Sequence, residues 1–334
     1  MDKKMKVGII GAGRIGRVHA MSISNYIPEV EIKAVSDIYY PSAEKLAKDL
    51  GIPNSYENYQ EIINDPEIDA VLVCSSTDTH AQISIEAANM KKHVFCEKPV
   101  DLSVEKVEAV LKAVEENGVK LQIGFNRRFD HNFRKVKELI KSGDLGDLHI
   151  VKITSRDPEP PNPEYVAVSG GMFMDMTIHD FDMARFLVDS EVEEVYVAAA
   201  CRVDEKIGEA GDVDTAVITL RFKNGTLCVI DNSRKAVYGY DQRVEVFGSK
   251  GKAEVANDTP STATWSTADG VFGEKPKYFF LERYMESFAT EIKEFVDAII
   301  NDKETPVTGI DGLKPILIGL AAKESVKEGR PVKL

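Results

Sequence analysis

No stretch of this sequence approaches the roughly 20 consecutive apolar residues that a membrane-spanning helix needs. Its start, MDKKMKVGIIGAG, passes from charged residues straight into a strand-like run with no cleavable apolar segment. A cytoplasmic protein is the expectation. Cysteine is scarce as well. Cys74, Cys96, Cys201 and Cys228 show neither CxxC nor Cys/His metal-ligand spacing, and each sits in an apolar, strand-like stretch. They read as reduced core thiols. Positive charge is also in short supply. The formal net charge is −13, which repels nucleic acid phosphates and anionic lipid alike, and basic clusters such as Lys91-Lys92 and Arg127-Arg128 are short. Neither nucleic acid nor a membrane is expected as a partner. A neutral substrate fits slightly better than a highly anionic one, although a local arginine can override a global charge. No internal repeat or low-complexity tract is present.

What the sequence does contain is enough apolar material, 43% of 334 residues, for two packed domains, the default for a chain of this length. Residues 1–126 alternate short apolar runs with helical patterns: KVGIIG, then Arg14 to Ser24, EIKAVSD, SAEKLAKDLG, DAVLVCSS, HAQISIEAANM, HVFCEKP, VEKVEAVLKAVEENG and KLQIGFN. That alternation is the βαβ signature of a parallel sheet. Runs apolar on both faces, such as AVLVC, belong in the middle of a sheet covered by helices on each side, so a doubly wound Rossmann domain follows.

After Asn126 the pattern changes. Residues 127–334 begin with a helix near 130–142, the strand HIVKITSRD, a proline-rich loop and the helical MDMTIHDFDMARFL. Five strand-like runs follow, from EEVYVAAACRV to KAEVAN, separated by turn signals such as Lys223-Asn224-Gly225, and they read as an antiparallel meander. The expected second domain is α+β, with a large, mainly antiparallel open sheet. One face should pack on helices; the other also carries Val, Tyr and Phe, which suggests a subunit interface and a homo-oligomer, dimer or tetramer. Helices near 286–300 and 312–328 close the chain, the last free to pack back on the first domain.

Gly11-Ala12-Gly13-Arg14-Ile15-Gly16 matches G-x-G-x-x-G directly after the first strand and at a helix start, where backbone N–H groups and the positive helix end can hold a pyrophosphate. The motif alone is weak. Its context strengthens it, because Asp37 ends the second strand 21 residues after Gly16, where a carboxylate accepts hydrogen bonds from ribose hydroxyls. A carboxylate there repels a 2′-phosphate, and no arginine follows at Ile38, Tyr39 or Tyr40, so NAD is expected over NADP. Ser75, Ser76, Thr77 and His80 follow the fourth strand, at the crevice edge where ligands bind in open α/β sheets. The alternative for His80 is a surface histidine at a helix start.

Glu97-Lys98-Pro99, at the end of the fifth strand, together with the glycine-rich start resembles the glucose-fructose oxidoreductase and inositol dehydrogenase (Gfo/Idh/MocA) family over nearly the whole chain. The resemblance implies that Lys98 lies beside the substrate, that Glu97 and Lys98 border the cofactor, and that Asp175-Met176-Thr177-Ile178-His179 is the family's D-x-x-x-H motif opening a helix of the second domain. The segments GFNRRFD (124–130), SRDP (155–158) and ERY (282–284) are similar to those of inositol 2-dehydrogenases, which implies NAD-dependent oxidation of a cyclic polyol, myo-inositol first.

The chemistry suits those residues. Oxidising a secondary alcohol needs a group to take the hydroxyl proton as hydride leaves the carbon. His179, with an unperturbed pKa near 6.5, can accept it, and Asp175, one helical turn earlier, can orient the imidazole. Lys98 can hold the alcohol oxygen and join a proton relay with His179. Taken singly, Lys98 also reads as a solvated strand-end lysine, and Asp175 with His179 as an ordinary helix pair. A metal at Asp175 and His179 is rejected for want of a third ligand. Arg127, Asp157, Tyr238 and Tyr284 are candidates for holding substrate hydroxyls, the first and last chiefly through the resemblance. Against this, Arg127 could pair with Asp130 or Glu138, Asp157 could be a turn residue, and both tyrosines could be packing aromatics. Other readings are a sugar or dihydrodiol dehydrogenase of the same family, and a non-catalytic NAD-binding sensor.

Overall fold

A computed structural model describes residues 4–334, apart from the side chains of Pro163 and Ala167. In chain order the elements are β1 (Met5–Ile10), α1 (Arg14–Tyr26), β2 (Val30–Ser36), α2 (Tyr40–Leu50), β3 (Asn54–Tyr56), α3 (Gln60–Ile63), β4 (Ala70–Val73), α4 (Thr77–Asn89), β5 (His93–Glu97), α5 (Val104–Asn117) and β6 (Leu121–Gly124). A 3-10 turn (Asn126–Phe129) leads into α6 (His131–Lys141), β7 (Leu148–Arg156), α7 (Pro163–Ser169), α8 (Met172–Asp175), α9 (Ile178–Val188), β8 (Val192–Ala200), α10 (Glu205–Glu209), β9 (Thr215–Phe222), β10 (Leu227–Ser233), β11 (Asp241–Gly248) and β12 (Lys252–Val255). The chain continues through the hairpin β13 (Thr264–Thr267) and β14 (Gly270–Gly273), then α11 (Phe280–Arg283), α12 (Met285–Ile300), α13 (Gly309–Glu328) and β15 (Val332–Lys333). It divides into two compact units: residues up to Phe129 with Met285–Ile316, and Asp130–Tyr284 with Leu317–Leu334.

The first unit is a six-stranded sheet of order β3-β2-β1-β4-β5-β6, every neighbouring pair parallel. Parallel strands buried on both faces need apolar residues at every position, and Val71, Leu72 and Val73 are fully buried. On one side Ala20 and Ile23 of α1 join Val7, Ile9 and Phe95 of the sheet in a single core. Ile292, Phe295 and Val296 of α12 belong to the same core, and the Phe95 and Phe295 rings meet edge-on, centroids 5.9 Å apart. Residues 285–316, expected in the second domain, cluster instead with the first unit, where α12 buries the apolar stripe of Ile292, Phe295 and Val296. On the other side α4 and α5 pack together around Ala88 and Ala113.

The second unit is built on a seven-stranded sheet of order β12-β11-β7-β10-β9-β8-β15. Its strands alternate: Ala216, Ile218, Leu220 and Phe222 of β9 are buried while the residues between them face outward. The sheet is mainly antiparallel but not the simple meander expected. β8, β9 and β10 follow one another, but β7 then lies beside β10 in parallel and β11 pairs with the far edge of β7. The cause is the crossing after β10, where Arg234 donates its N–H to Asp214 and Ala236 donates to Asp157, carrying the chain past β7 before β11 begins. Among the described residues no helix is long and apolar enough to cross a membrane, and all four cysteines are free thiols.

Candidate active site

The glycine loop is shaped by contacts that exclude side chains. Gly11 has φ +100, and a Cβ there would stand 2.5 Å from the carbonyl of Cys74; a Cβ on Gly16 would stand 1.9 Å from the Gly11 oxygen. Only glycine permits that approach. A Cβ on Gly13 would meet nothing within 4 Å, so the loop is open on its outer side. Gly13 is the N-cap of α1 and supplies no capping side chain, nor is there an acidic residue in the first turn, which leaves the helix-start N–H groups and the positive end of the helix available to an anion. Arg14 is exposed, Ile15 half-buried and packed on the core. Asp37 follows β2 directly; its Oδ2 accepts the Ala12 N–H at 2.7 Å and its Oδ1 the Tyr39 N–H at 2.9 Å. These features fit a dinucleotide: a narrow turn, an uncapped helix start, and a half-exposed carboxylate where the ribose belongs.

At the end of β4, Ser75 and Thr79 share a hydrogen bond of 2.6 Å, and Ser76 caps α4 without a side-chain bond, with Thr77 as its first residue. His80 is not a surface histidine. It is buried, and its two ring nitrogens lie 2.8 Å from the Pro99 carbonyl and 3.0 Å from the Ser75 carbonyl, tying the serine loop to the Lys98–Pro99 turn. Lys98 itself is half-buried at the end of β5. The carboxylate of Glu97 turns inward, accepting from the Lys98 N–H at 3.3 Å and lying 2.7 Å from His19 Nε2. Arg127 is buried in the 3-10 turn that follows β6.

In the second unit the D-x-x-x-H motif departs from a single helix. Asp175 ends α8, and His179 is the second residue of α9. At the join, the Thr177 N–H reaches back five residues to the Met172 carbonyl at 2.9 Å, a wide turn of the kind that recurs at functional sites. Its cause is tertiary: the Thr177 hydroxyl donates to Asn232 of β10 at 2.6 Å, and Asn232 in turn donates to Asp180 at 2.9 Å, pinning the start of α9 to the sheet. Asp175 accepts from the Tyr165 hydroxyl at 3.0 Å.

Sequence reasoning missed Arg234. This residue is 3% exposed, and its Nη1 lies 3.2 Å from Asp175 Oδ2 and 3.3 Å from Asp157 Oδ2, so one guanidinium joins two of the carboxylates singled out in the sequence. Burial opposes its charge, but Asp175 and Asp157 outweigh that and raise its pKa above the ordinary arginine value. The available signal was slight: an arginine just past a strand, in a chain poor in positive charge. The two tyrosines have other duties. The Tyr238 hydroxyl donates to Asp241 at 2.6 Å and accepts from Arg156 at 3.0 Å. Tyr284 is 1% exposed, edge-on to Tyr240 and beneath the Arg283 guanidinium, a packing position rather than an open one.

Comparison with known proteins agrees across the chain. Residues 5–125 match the family model of GFO_IDH_MocA oxidoreductases with an NAD-binding Rossmann fold, and residues 133–254 match the GFO/IDH/MocA C-terminal domain. The chain is 53% identical over 334 residues to the uncharacterized oxidoreductase YrbE of Bacillus subtilis, covering 100% of this chain and 98% of that one. It is 49% identical over 330 residues to a myo-inositol 2-dehydrogenase of Thermotoga maritima, covering 99% and 98%. The crystal structure of scyllo-inositol dehydrogenase from Lactobacillus casei, with bound NAD(H) and scyllo-inositol, is similar with a TM-score of 0.91 at 29% identity, covering 99% of each chain.

Proposed function

Because the chain belongs to the Gfo/Idh/MocA family of NAD-binding oxidoreductases, we propose that it is an NAD-dependent dehydrogenase that oxidises a secondary alcohol of a neutral cyclic polyol, myo-inositol first, to the ketone. The observation that carries the polyol reading is the Asp157–Arg234–Asp175 cluster. Two carboxylates of the site converge on one guanidinium, and carboxylate oxygens are the acceptors that the hydroxyl donors of a polyol call for.

Gly11, Gly13, Arg14, Ile15 and Gly16 would hold the pyrophosphate and Asp37 the ribose, and the segment from Ser75 to His80 with the Glu97-Lys98 turn would border the nicotinamide. When bound, the nicotinamide accepts the hydride. His179 takes the hydroxyl proton on a ring nitrogen, and Lys98 holds the alcohol oxygen and favours its ionised form. Asp175, oriented by Tyr165 and Arg234, serves the imidazole. Asp157 and Arg127 hold neighbouring hydroxyls. Tyr238 and Tyr284 reach a substrate only by giving up the contacts described above. The outer face of the second sheet leaves Ile150, Tyr196, Val217, Leu227 and Phe247 exposed, which supports a homo-oligomer joined there. A reaction that draws on the cellular NAD pool belongs in the cytoplasm.

The test is kcat/KM, followed by NADH absorbance, across myo-inositol, scyllo-inositol, glucose, xylose, lactate and glucose 6-phosphate. Inositols should lead, and the two should differ by about tenfold or more, since each hydroxyl-binding group left unpaired costs about 1 to 3 kcal/mol. A preference for lactate or glucose 6-phosphate would overturn the reading.

A further inference from the structure

Three buried titratable side chains cluster behind the Lys98 turn, and of these only Glu97 has a place in the site described above, beside the cofactor. His19 of α1, Glu97 of β5 and Glu291 of α12 are 0%, 7% and 0% exposed, and a ring nitrogen of the first and a carboxyl oxygen of each of the others all lie within 4.8 Å of one another. His19 Nε2 lies 2.7 Å from Glu97 Oε1, with the imidazole edge-on to Phe95 and Phe288. A Cβ on Gly124 would stand 3.0 to 3.1 Å from three atoms of the Glu97 carboxyl, so the glycine of β6 leaves the room that this group fills. Both oxygens of Glu291 are buried and have no hydrogen-bond partner among the described residues, as is also true of His19 Nδ1. Two carboxylates this close, in an apolar interior and without a lysine or arginine paired to either among the described residues, are too costly to keep ionised together.

We propose that Glu291 is a positioning residue: it closes a His19–Glu97–Glu291 triad that holds the Glu97 carboxyl, and through the Lys98 N–H the main chain of that lysine, in one place. This rests on the reading that Lys98 acts on the substrate. Burial, and then the nearby Glu97, push the Glu291 carboxyl well above the usual range, so it stays a neutral acid and sets no second charge against Glu97. The groups facing it from the neighbouring elements do not alter this. Cys74, after β4, is a buried thiol pushed up by burial. Gln122 of β6 donates to the Glu291 main-chain carbonyl at 2.7 Å. The 3-10 turn carries Arg127 and Arg128, of which Arg128 pairs with Asp311 at 2.9 Å. Ionising Glu291 would drive Glu97 away and pull the Lys98 main chain with it.

The experiment compares full-length wild type with Glu291→Gln and Glu291→Leu. The leucine variant should lose about tenfold in kcat with little change in KM for NAD, because sub-ångström misplacement of a catalytic group is felt in turnover. The glutamine variant should recover to within about threefold, and should carry its turnover about one pH unit further into the alkaline range, since it has no proton to lose. Two NMR readings need no turnover. A carboxyl 13C signal that disappears in Glu291→Gln should keep its protonated shift past about pH 7, above the ordinary glutamate range. The Lys98 amide signal should move in Glu291→Leu and stay in Glu291→Gln. If no polyol is oxidised, the proposed function fails, while the NMR readings still decide the triad. A Glu291 signal that titrates below about pH 5 would overturn the proposal. So would an unmoved Lys98 amide in the leucine variant, or one metal ion per chain that is lost in Glu291→Gln.

Discussion

The carboxylate of Asp37 accepts the main-chain N–H of Ala12 at 2.7 Å, so the acidic end of β2 and the glycine turn are joined by protein atoms alone. Asp37→Ser therefore removes two things at once, a loop contact and the repulsion of a 2′-phosphate. The wild type should use NAD at least about tenfold more efficiently than NADP, about 1.4 kcal/mol in transition-state binding. The serine variant should narrow that ratio mainly by losing NAD efficiency. Equal kcat/KM for the two cofactors in the wild type would rule the assignment out.

Lys98→Ala and His179→Ala should each lower turnover by roughly 10² to 10⁴ while NAD affinity, measured by fluorescence titration, stays nearly intact. Binding and chemistry then separate. Wild-type turnover in either variant at saturating polyol would remove that residue from the mechanism.

Arg234→Met leaves Asp157 and Asp175 facing each other without their shared cation. Breaking a buried ion pair from one side costs about 3 to 5 kcal/mol, and a large fall in Tm is expected. Turnover should fall with it, because Asp175 loses one of its anchors. Adding Asp157→Asn to the methionine variant removes one of the stranded charges and should restore part of the Tm. An unchanged Tm in Arg234→Met would show that the ion pairs contribute nothing to the fold.

Asp214 is buried, and three consecutive main-chain N–H groups, those of Arg202, Val203 and Asp204, donate to it at 2.7, 2.8 and 3.0 Å. Burial works against its charge, but those donors outweigh it and lower its pKa from the ordinary 3.8 to about 2. The folded value lies below the unfolded one. Its contribution, about 2 kcal/mol, is therefore fully present above about pH 4 and is lost as the pH falls toward about 2. Asp214→Asn should lower stability near neutral pH by a similar amount and flatten the acid limb of a denaturation series. An acid limb as steep as that of the wild type would count against it.

Much of the first unit was legible because its signals are local. A glycine turn between a strand and a helix, an aspartate after the second strand, and apolar runs such as AVLVC each state their structure within a few residues. The EKP segment was legible for the same reason, being three residues long. The second unit was legible as strands and helices but not in its pairing, because the insertion of β7 between β10 and β11 depends on contacts between segments far apart in the chain.

By itself, the sequence determined the Rossmann start and the EKP and D-x-x-x-H segments that mark the family, since each rests on residues only a few places apart. Tertiary structure alone decided the rest. It broke the D-x-x-x-H segment into two helices, because Thr177 binds Asn232 on a strand 55 residues away. It brought Arg234 to Asp157 and Asp175 across 77 and 59 residues, and returned α12 to the first sheet, where Ile292, Phe295 and Val296 are buried. Periodicity says which face of an element is apolar, not which distant element will cover it. That choice is made by packing and by the need to partner buried charge, and both act only once the chain has folded.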